Sequence, residues 1–329
     1  MALQPRDLIH KKQIAAGTLG RNKGHGFEEY IAQLINKLEV NLAEKNFQTG
    51  QVIYNGDPAG LLISYIINFL KIKFSDIKKI NAFWLGGLAT SGKGDAILGI
   101  DGKNIRASKS DILLKFIFRN GKEKIIGVST KTCNNKTPTN AQLFFTTAGA
   151  FIGLLRLNGV EVGKKAEEAL RMFCGDAGFR PRDQKIEGRK SDPDRWFWEE
   201  LPSRARSELE NLFTKKQKEI TDILLRKAYL NDPFPPDFII HQTRKCSDIN
   251  NCEVAILSVN ELIGLSSKYK GFELRPYQIK KGRFKNDPST HLAPRFGVVQ
   301  MQRGGQKQHP TQLQFNLKSG YFYALKDLV

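Results

Sequence analysis

A chain of 329 residues, 40% hydrophobic and 26% charged, is long enough to bury one large core or two modest ones and has the make-up of an ordinary folded protein. Its 52 Lys and Arg against 33 Asp and Glu leave a formal charge of +19; such an excess repels itself unless a polyanion is bound, and nucleic acid is the commonest, with a membrane surface the weaker alternative. The longest apolar run, Leu61 to Leu70, is too short to cross a bilayer, and the N-terminus MALQPRDLIHKK holds no apolar leader segment.

The four cysteines, Cys133, Cys174, Cys246 and Cys252, have no framework spacing and read as reduced cytoplasmic thiols. His241, Cys246 and Cys252 lie close in sequence, yet no fourth ligand stands at finger-like spacing, so zinc is not favoured.

Residues 1–24 are polar, basic and glycine-containing, and read as an arm or loose lead-in. From Gly26 the periodicity becomes helical: Phe27, Tyr30, Ile31, Leu34, Ile35 and Leu38 share one stripe. At about 100° per residue, Glu28 falls at the edge of that stripe and Glu29 on the solvent side. An acid at the rim of an apolar face costs solvation unless it meets a cation.

Asp57-Pro58 is a helix start, Asp as cap and Pro in the first turn, and the helix runs to about Leu70. Lys79 to Leu85 reads as a strand. Gly87 to Gly94 then resembles a phosphate-binding loop but carries Gly94 where Ser or Thr should hold Mg²⁺, so a glycine loop is the preferred reading.

Ser110 to Lys131 carries the chemistry. Asp111 opens an Ile/Leu/Phe run, Asn120-Gly121 is a strong hairpin signal, and a second run ends in Ser129-Thr130-Lys131. Ser129 and Lys131 share a strand face. A two-residue loop sets Asp111 opposite Thr130, on the wrong face for Lys131. A three-residue loop, Asn120-Gly121-Lys122, sets it opposite Lys131. An acid and a lysine so placed can hold Mg²⁺ against a phosphate, the carboxylate giving hard oxygen and the lysine fixed charge.

Downstream, Thr137-Pro138 predicts a helix to about Leu157, and the loop before it offers Asn134, Asn135 and Lys136 to base edges and phosphates. Residues 161–245 read as a helical insertion with a basic loop bearing Arg180, Arg182, Lys185 and Arg189, two tryptophans taken as core anchors (Trp196, Trp198), and a long helix from about Ser203 to Leu230. Glu253 to Val259 is a short strand. Val298 to Gln302 and Thr311 to Leu317 form a last hairpin whose Gln300, Gln302, Arg303, Gln306 and Lys307 suit purine edges.

Together Gly26-Phe27-Glu28, Ser110-Asp111, Ser129-Thr130-Lys131 and the ending from Gln300 to Gln314 resemble the PD-(D/E)XK nuclease superfamily, and most of all type II restriction endonucleases. The resemblance implies a mixed central β-sheet flanked by helices (restriction-endonuclease-like), with nuclease core in 1–160, insertion in 161–245, and 246–329 completing the core. It implies Mg²⁺-dependent, sequence-specific cleavage of duplex DNA. Asp111 and Glu28 would bind Mg²⁺, with Ser129 adding a ligand, and Lys131 would orient or deprotonate the attacking water. Ser129 stands where the family has an acid, so Glu28 is assigned to complete the site, with Asp95 or Asp101 next in line.

Further implications are a homodimer on a palindromic site, a cognate DNA methyltransferase in the same system, and the cytoplasm of a bacterium or archaeon. Two alternatives stay open: a repair or recombination nuclease of the same superfamily, and a non-catalytic basic DNA-binding protein.

Overall fold

The computed structural model describes residues 8–38, 51–88, 94–97, 103–138, 140–176, 196–227, 232–268, 272–278, 290–303, 312–318 and 320–325. In chain order the elements are α1 (Leu8–Lys37), β1 (Ile53–Gly56), α2 (Pro58–Phe69), β2 (Ile77–Trp84), β3 (Ile112–Phe118), β4 (Glu123–Thr132), β5 (Asn140–Thr147) and α3 (Ala148–Leu157). They continue with α4 (Lys164–Cys174), α5 (Ser203–Lys215), α6 (Gln217–Arg226), β6 (Phe238–Gln242), β7 (Cys252–Ser258) and α7 (Val259–Ser267). The last are β8 (Phe272–Gln278), β9 (Thr290–Phe296), β10 (Val299–Arg303), β11 (Gln312–Lys318) and α8 (Gly320–Leu325). Two compact units result: Ala15–Ala141 with Leu225–Leu265 and Lys318–Val329, and Met1–Ile14 with Gln142–Leu224 and Ser266–Leu317. No described helix is long and apolar enough to cross a membrane.

The first unit holds a six-stranded sheet in the order β1-β7-β6-β4-β3-β2, mixed because β4 and β6 run parallel while the other neighbours are antiparallel. This is the expected mixed sheet flanked by helices. Ile112, Leu114, Phe116, Ile126, Val128, Phe238, Ile240, Val254 and Ile256 alternate onto one face, where Phe27, Ile31 and Ile35 of α1 and Leu62, Ile63 and Ile66 of α2 bury them. Each such side chain contributes roughly 1.5–3 kcal/mol. Asp57 caps α2 as the sequence predicts, accepting from the amides of Ala59 and Gly60.

The edge strand β2 is closed by side chains. The Asn36 carboxamide donates to the Ala82 carbonyl and accepts from the Ala82 amide, both at 2.8 Å. Two residues on, the Asp95 carboxylate accepts the Trp84 amide at 2.7 Å, and the Asp95 amide donates to the Trp84 carbonyl. Both clamps satisfy edge groups that would otherwise pair with another chain. The first also fixes α1 along β2.

Several expectations are corrected. Strand β6 lies inside the stretch read as helical; five buried residues in a row after Pro235-Pro236 are the pattern of an interior strand. Residues 140–147 form β5 rather than the first half of a helix, because Asn140 and Gln142 face out while Ala141 and Leu143 face in, a period of two. The helix cap is Thr147, not Thr137, its hydroxyl accepting from the Ala150 amide at 3.2 Å.

Helix α1 begins at Leu8, within the supposed lead-in. The single helix expected from Ser203 breaks at Lys216 into α5 and α6, and its described part ends at Arg226. Cys246 and Cys252 are joined in a disulfide with Cα atoms 5.4 Å apart, so only Cys133 and Cys174 are free thiols. Spacing had hidden the pair, which the β6–β7 connection brings together.

The second unit carries a five-stranded sheet, β5-β11-β10-β9-β8. Its core joins Phe151 and Phe315, whose rings are 4.6 Å apart, and elsewhere Phe173 edge-on to Trp198 at 5.3 Å. Trp198 is buried with its indole nitrogen donating to Glu210, a core anchor as expected.

Candidate active site

The hairpin β3–β4 turns through Arg119-Asn120-Gly121. The Phe118 amide donates to the Lys122 carbonyl at 2.9 Å, and Gly121 takes a φ of 81°, a conformation glycine adopts without steric cost. The loop has the predicted three residues but starts one residue earlier. Ile112 therefore faces Val128, and continuing that register sets Asp111 across from Ser129, not Lys131. Asp111 nonetheless reaches Lys131 diagonally, within range of a long side chain.

The Asp111 carboxylate is tightly held. Its Oδ2 accepts from the Thr130 amide at 2.7 Å, the Ser129 hydroxyl at 3.1 Å and the Lys131 ammonium at 3.2 Å. These bonds all fall on one oxygen. Upstream, Ser110 is fully buried and donates to the Phe234 carbonyl at 2.6 Å, while the Ser108 hydroxyl donates to the Asp232 carboxylate at 3.2 Å. The Gly127 amide donates to Asp237 at 3.0 Å. The segment between Asp232 and Asp237 thus fixes both strands where Asp111 stands.

Glu28 joins this group from α1. It is 8% exposed, whereas Glu29 is exposed and pairs only with Gln33 on the helix surface. The helical phase read from the sequence is the observed one. Glu28 Oε2 accepts from the Trp84 indole at 3.3 Å, and the Thr130 hydroxyl is a second donor to the carboxylate. Burial, and next the negative charge of Asp111, push its pKa up to about 8, against the opposing pull of Lys131.

That shift has a testable sign. The folded protein keeps a proton on Glu28 that the unfolded chain releases near pH 4.5, so without metal stability falls as pH rises from about 4.5 to about 8. Glu28→Gln should flatten this dependence and raise the Tm at pH 9 by about 4 °C or more. Thermal melts of both proteins in EDTA across that range check it.

A buried carboxylate, Glu28, and a half-buried one, Asp111, that repel one another suit a hard divalent cation. Mg²⁺ commonly uses one or two protein carboxylates, keeps several waters and takes the rest from phosphate. The donors here fit: Glu28 and Asp111 would hold the ion, with the Ser129 hydroxyl beside them. Among the described residues no group of three or more His, Cys, Asp or Glu could hold a metal, so neither the zinc reading nor a richer site is found. Asp95 is committed to Trp84, and Asp101 lies outside the described residues.

Two residues near the site have no place there in the sequence reading: Lys109 is not singled out, and His241 is weighed only for zinc. Lys109 is buried; burial, then the charge of Lys131, lower its pKa to about 7, against Asp111 and Asp232. His241 sits beside Lys131 in the parallel β4–β6 register, buried and 5.1 Å from the Phe322 ring. Burial holds its pKa near 3, so the imidazole is neutral. Neither has a local signal; only the sheet order reveals them.

The proposed DNA contacts fare unevenly. Asn134, Asn135 and Lys136 are exposed just past β4. Gln300 is only 8% exposed and Gln302 donates to Gln314 at 3.3 Å, so as folded neither presents an open amide. The β10–β11 pairing places Gln300 opposite Asn316 and Gln302 opposite Gln314, which turns these amides toward each other. Arg180, Arg182, Lys185, Arg189, Gln306, Lys307 and the Arg303 side chain lie outside the described residues.

No family model and no curated protein matches the sequence. Among solved structures there is a distant likeness to a crystal structure of restriction endonuclease MspI in complex with its cognate DNA. It covers 78% of each chain at 13% identity with a TM-score of 0.44.

Proposed function

We propose that this protein is a Mg²⁺-dependent endonuclease that hydrolyses duplex DNA at a specific sequence, acting in restriction of foreign DNA. The observation that carries the reading is the meeting of Glu28, Asp111 and Lys131, drawn from a helix and two strands, beside a buried sheet end. Two carboxylates can hold a metal ion that activates water and polarises a phosphate, and a lysine beside them adds fixed positive charge.

When bound, the ion would supply positive charge to the scissile phosphate and a more acidic water. Asp111 and Glu28 would hold and orient it. Lys131, its ammonium fixed by Asp111 and by the Thr130 carbonyl, places the attacking water and offsets charge that develops on the phosphate. Ser129 donates to Asp111 and so keeps that carboxylate aimed. The overall charge of +19 supports a polyanionic substrate.

The test is plasmid incubated with Mg²⁺ or with EDTA. Metal-dependent conversion to linear products with 5′-phosphate ends supports the proposal, and intact plasmid under both conditions leaves a non-catalytic DNA-binding protein. Binding should weaken steeply with salt, by about 10³-fold or more between 50 and 200 mM for an interface of six or more phosphates. Fluorescence anisotropy with a labelled duplex reads this directly, and salt-independent affinity would remove nucleic acid as the partner.

The homodimer, the methyltransferase partner and a cytoplasmic location belong to the same proposal. A repair nuclease differs from it in preferring branched or damaged DNA.

A further inference from the structure

Gly86 stands where the two acid-bearing elements meet. Its amide donates to the Asp111 carbonyl at 3.1 Å, next to the Leu85 amide, which donates to the same oxygen at 2.8 Å. This pair of backbone hydrogen bonds ties the end of β2 to the residue that carries the first carboxylate. On its other side, a Cβ added at Gly86 would lie 1.8 Å from Glu28 Oε2, 2.8 Å from Glu28 Cδ and 3.3 Å from the Trp84 indole nitrogen.

Backbone geometry does not demand glycine there, because Gly86 is not among the residues of positive φ. Space does: the position of its missing side chain is taken by the Glu28 carboxylate.

We infer that Gly86 is a positioning residue whose missing side chain makes the room in which Glu28 lies beside Asp111. The inference rests on the nuclease reading for its effect on cleavage, but its geometric part stands apart from it. The obstructed atoms are the far end of a flexible side chain, so Gly86→Ala moves Glu28 rather than the fold. Glu28 then leaves both the Trp84 indole and Asp111. A displacement of about 1 Å in a catalytic group can cost about 100-fold in rate.

The experiment compares Gly86→Ala, Glu28→Ala and the double variant with Gly26→Ala, where an added Cβ meets nothing within 4 Å. Four quantities are read: Mg²⁺-dependent cleavage, Ca²⁺ affinity by calorimetry, Tm, and the indole N–H resonance of Trp84, one of three tryptophans. Gly86→Ala is expected to lose about 100-fold or more in cleavage and to weaken Ca²⁺ binding. Its Trp84 resonance should move toward that of Glu28→Ala.

On the Glu28→Ala background the same substitution should change little, because the obstructed carboxylate is gone. Gly26→Ala should match the wild type in cleavage, Ca²⁺ affinity and the Trp84 resonance, with a Tm unchanged or raised because alanine suits a helix interior better than glycine. Effects of Gly86→Ala that persist undiminished on the Glu28→Ala background, or a Trp84 resonance and Ca²⁺ affinity unmoved by Gly86→Ala, would overturn the inference. If the wild type cut no DNA but the resonance behaved as expected, the nuclease reading alone would fall.

Discussion

Asp111→Ala and Lys131→Ala are each expected to abolish cleavage, by about 10⁴-fold or more, while specific DNA binding survives within about tenfold. Asp111 carries the largest effect because it has two tasks. Its Oδ2 holds the Thr130 amide, the Ser129 hydroxyl and the Lys131 ammonium in place, and in the proposed reading its other oxygen would bind the ion. Its removal would then take away a metal ligand and also release the lysine. On the proposed reading Lys131→Ala would spare the metal ligands and remove only the charge meant for the phosphate, so Ca²⁺ binding should persist in that variant and fail in Asp111→Ala. Cleavage and calorimetry on the two proteins separate these roles, and normal cutting by either variant would mean that the active site lies elsewhere.

Glu28→Gln is expected to lose cleavage by about 10³-fold, whereas Glu29→Gln should cost less than about twofold. The two acids are neighbours in sequence, and their chemistry is identical. What differs is helical phase: one is buried against Trp84 and the Asp111 group, the other lies on the surface near Gln33. Because the residue facing Asp111 on β4 is Ser129 and not an acid, a lone Asp111 would bind Mg²⁺ weakly, since that ion keeps most of its water and needs further anionic oxygen. Single-turnover cleavage over a range of Mg²⁺ concentrations reads this. A sensitive Glu29 with a silent Glu28 would contradict the geometry.

The parts legible in the sequence were those with a strict period or a cap. The stripe Phe27, Ile31, Ile35 fixed which face of α1 is buried, and hence which of two glutamates turns inward. Asp57-Pro58 and the β10–β11 alternation were readable for the same reason. The hairpin was legible as a hairpin, but its register was not. Asn120-Gly121 can occupy the last two positions of a three-residue loop as readily as the first two, and one residue of slip decides which side chain faces Asp111.

Strand β6 was hidden because a short apolar run fits a helix or an interior strand equally well. Thr137-Pro138 imitated a helix start, although the alternation from Asn140 to Leu143 spoke for a strand. Nothing local ties Gly86, Trp84, Lys109 or His241 to the site. Their roles come from sheet order and from the docking of α1 through Asn36, which no short window contains.

The most direct measurement is to digest mapped duplex DNA with the wild-type protein and Mg²⁺ and to sequence every end. The account predicts ends at one short sequence, present on both strands, absent in EDTA and absent with Asp111→Ala. Ends scattered without a shared sequence, or the same ends at undiminished rate from Asp111→Ala, would contradict it.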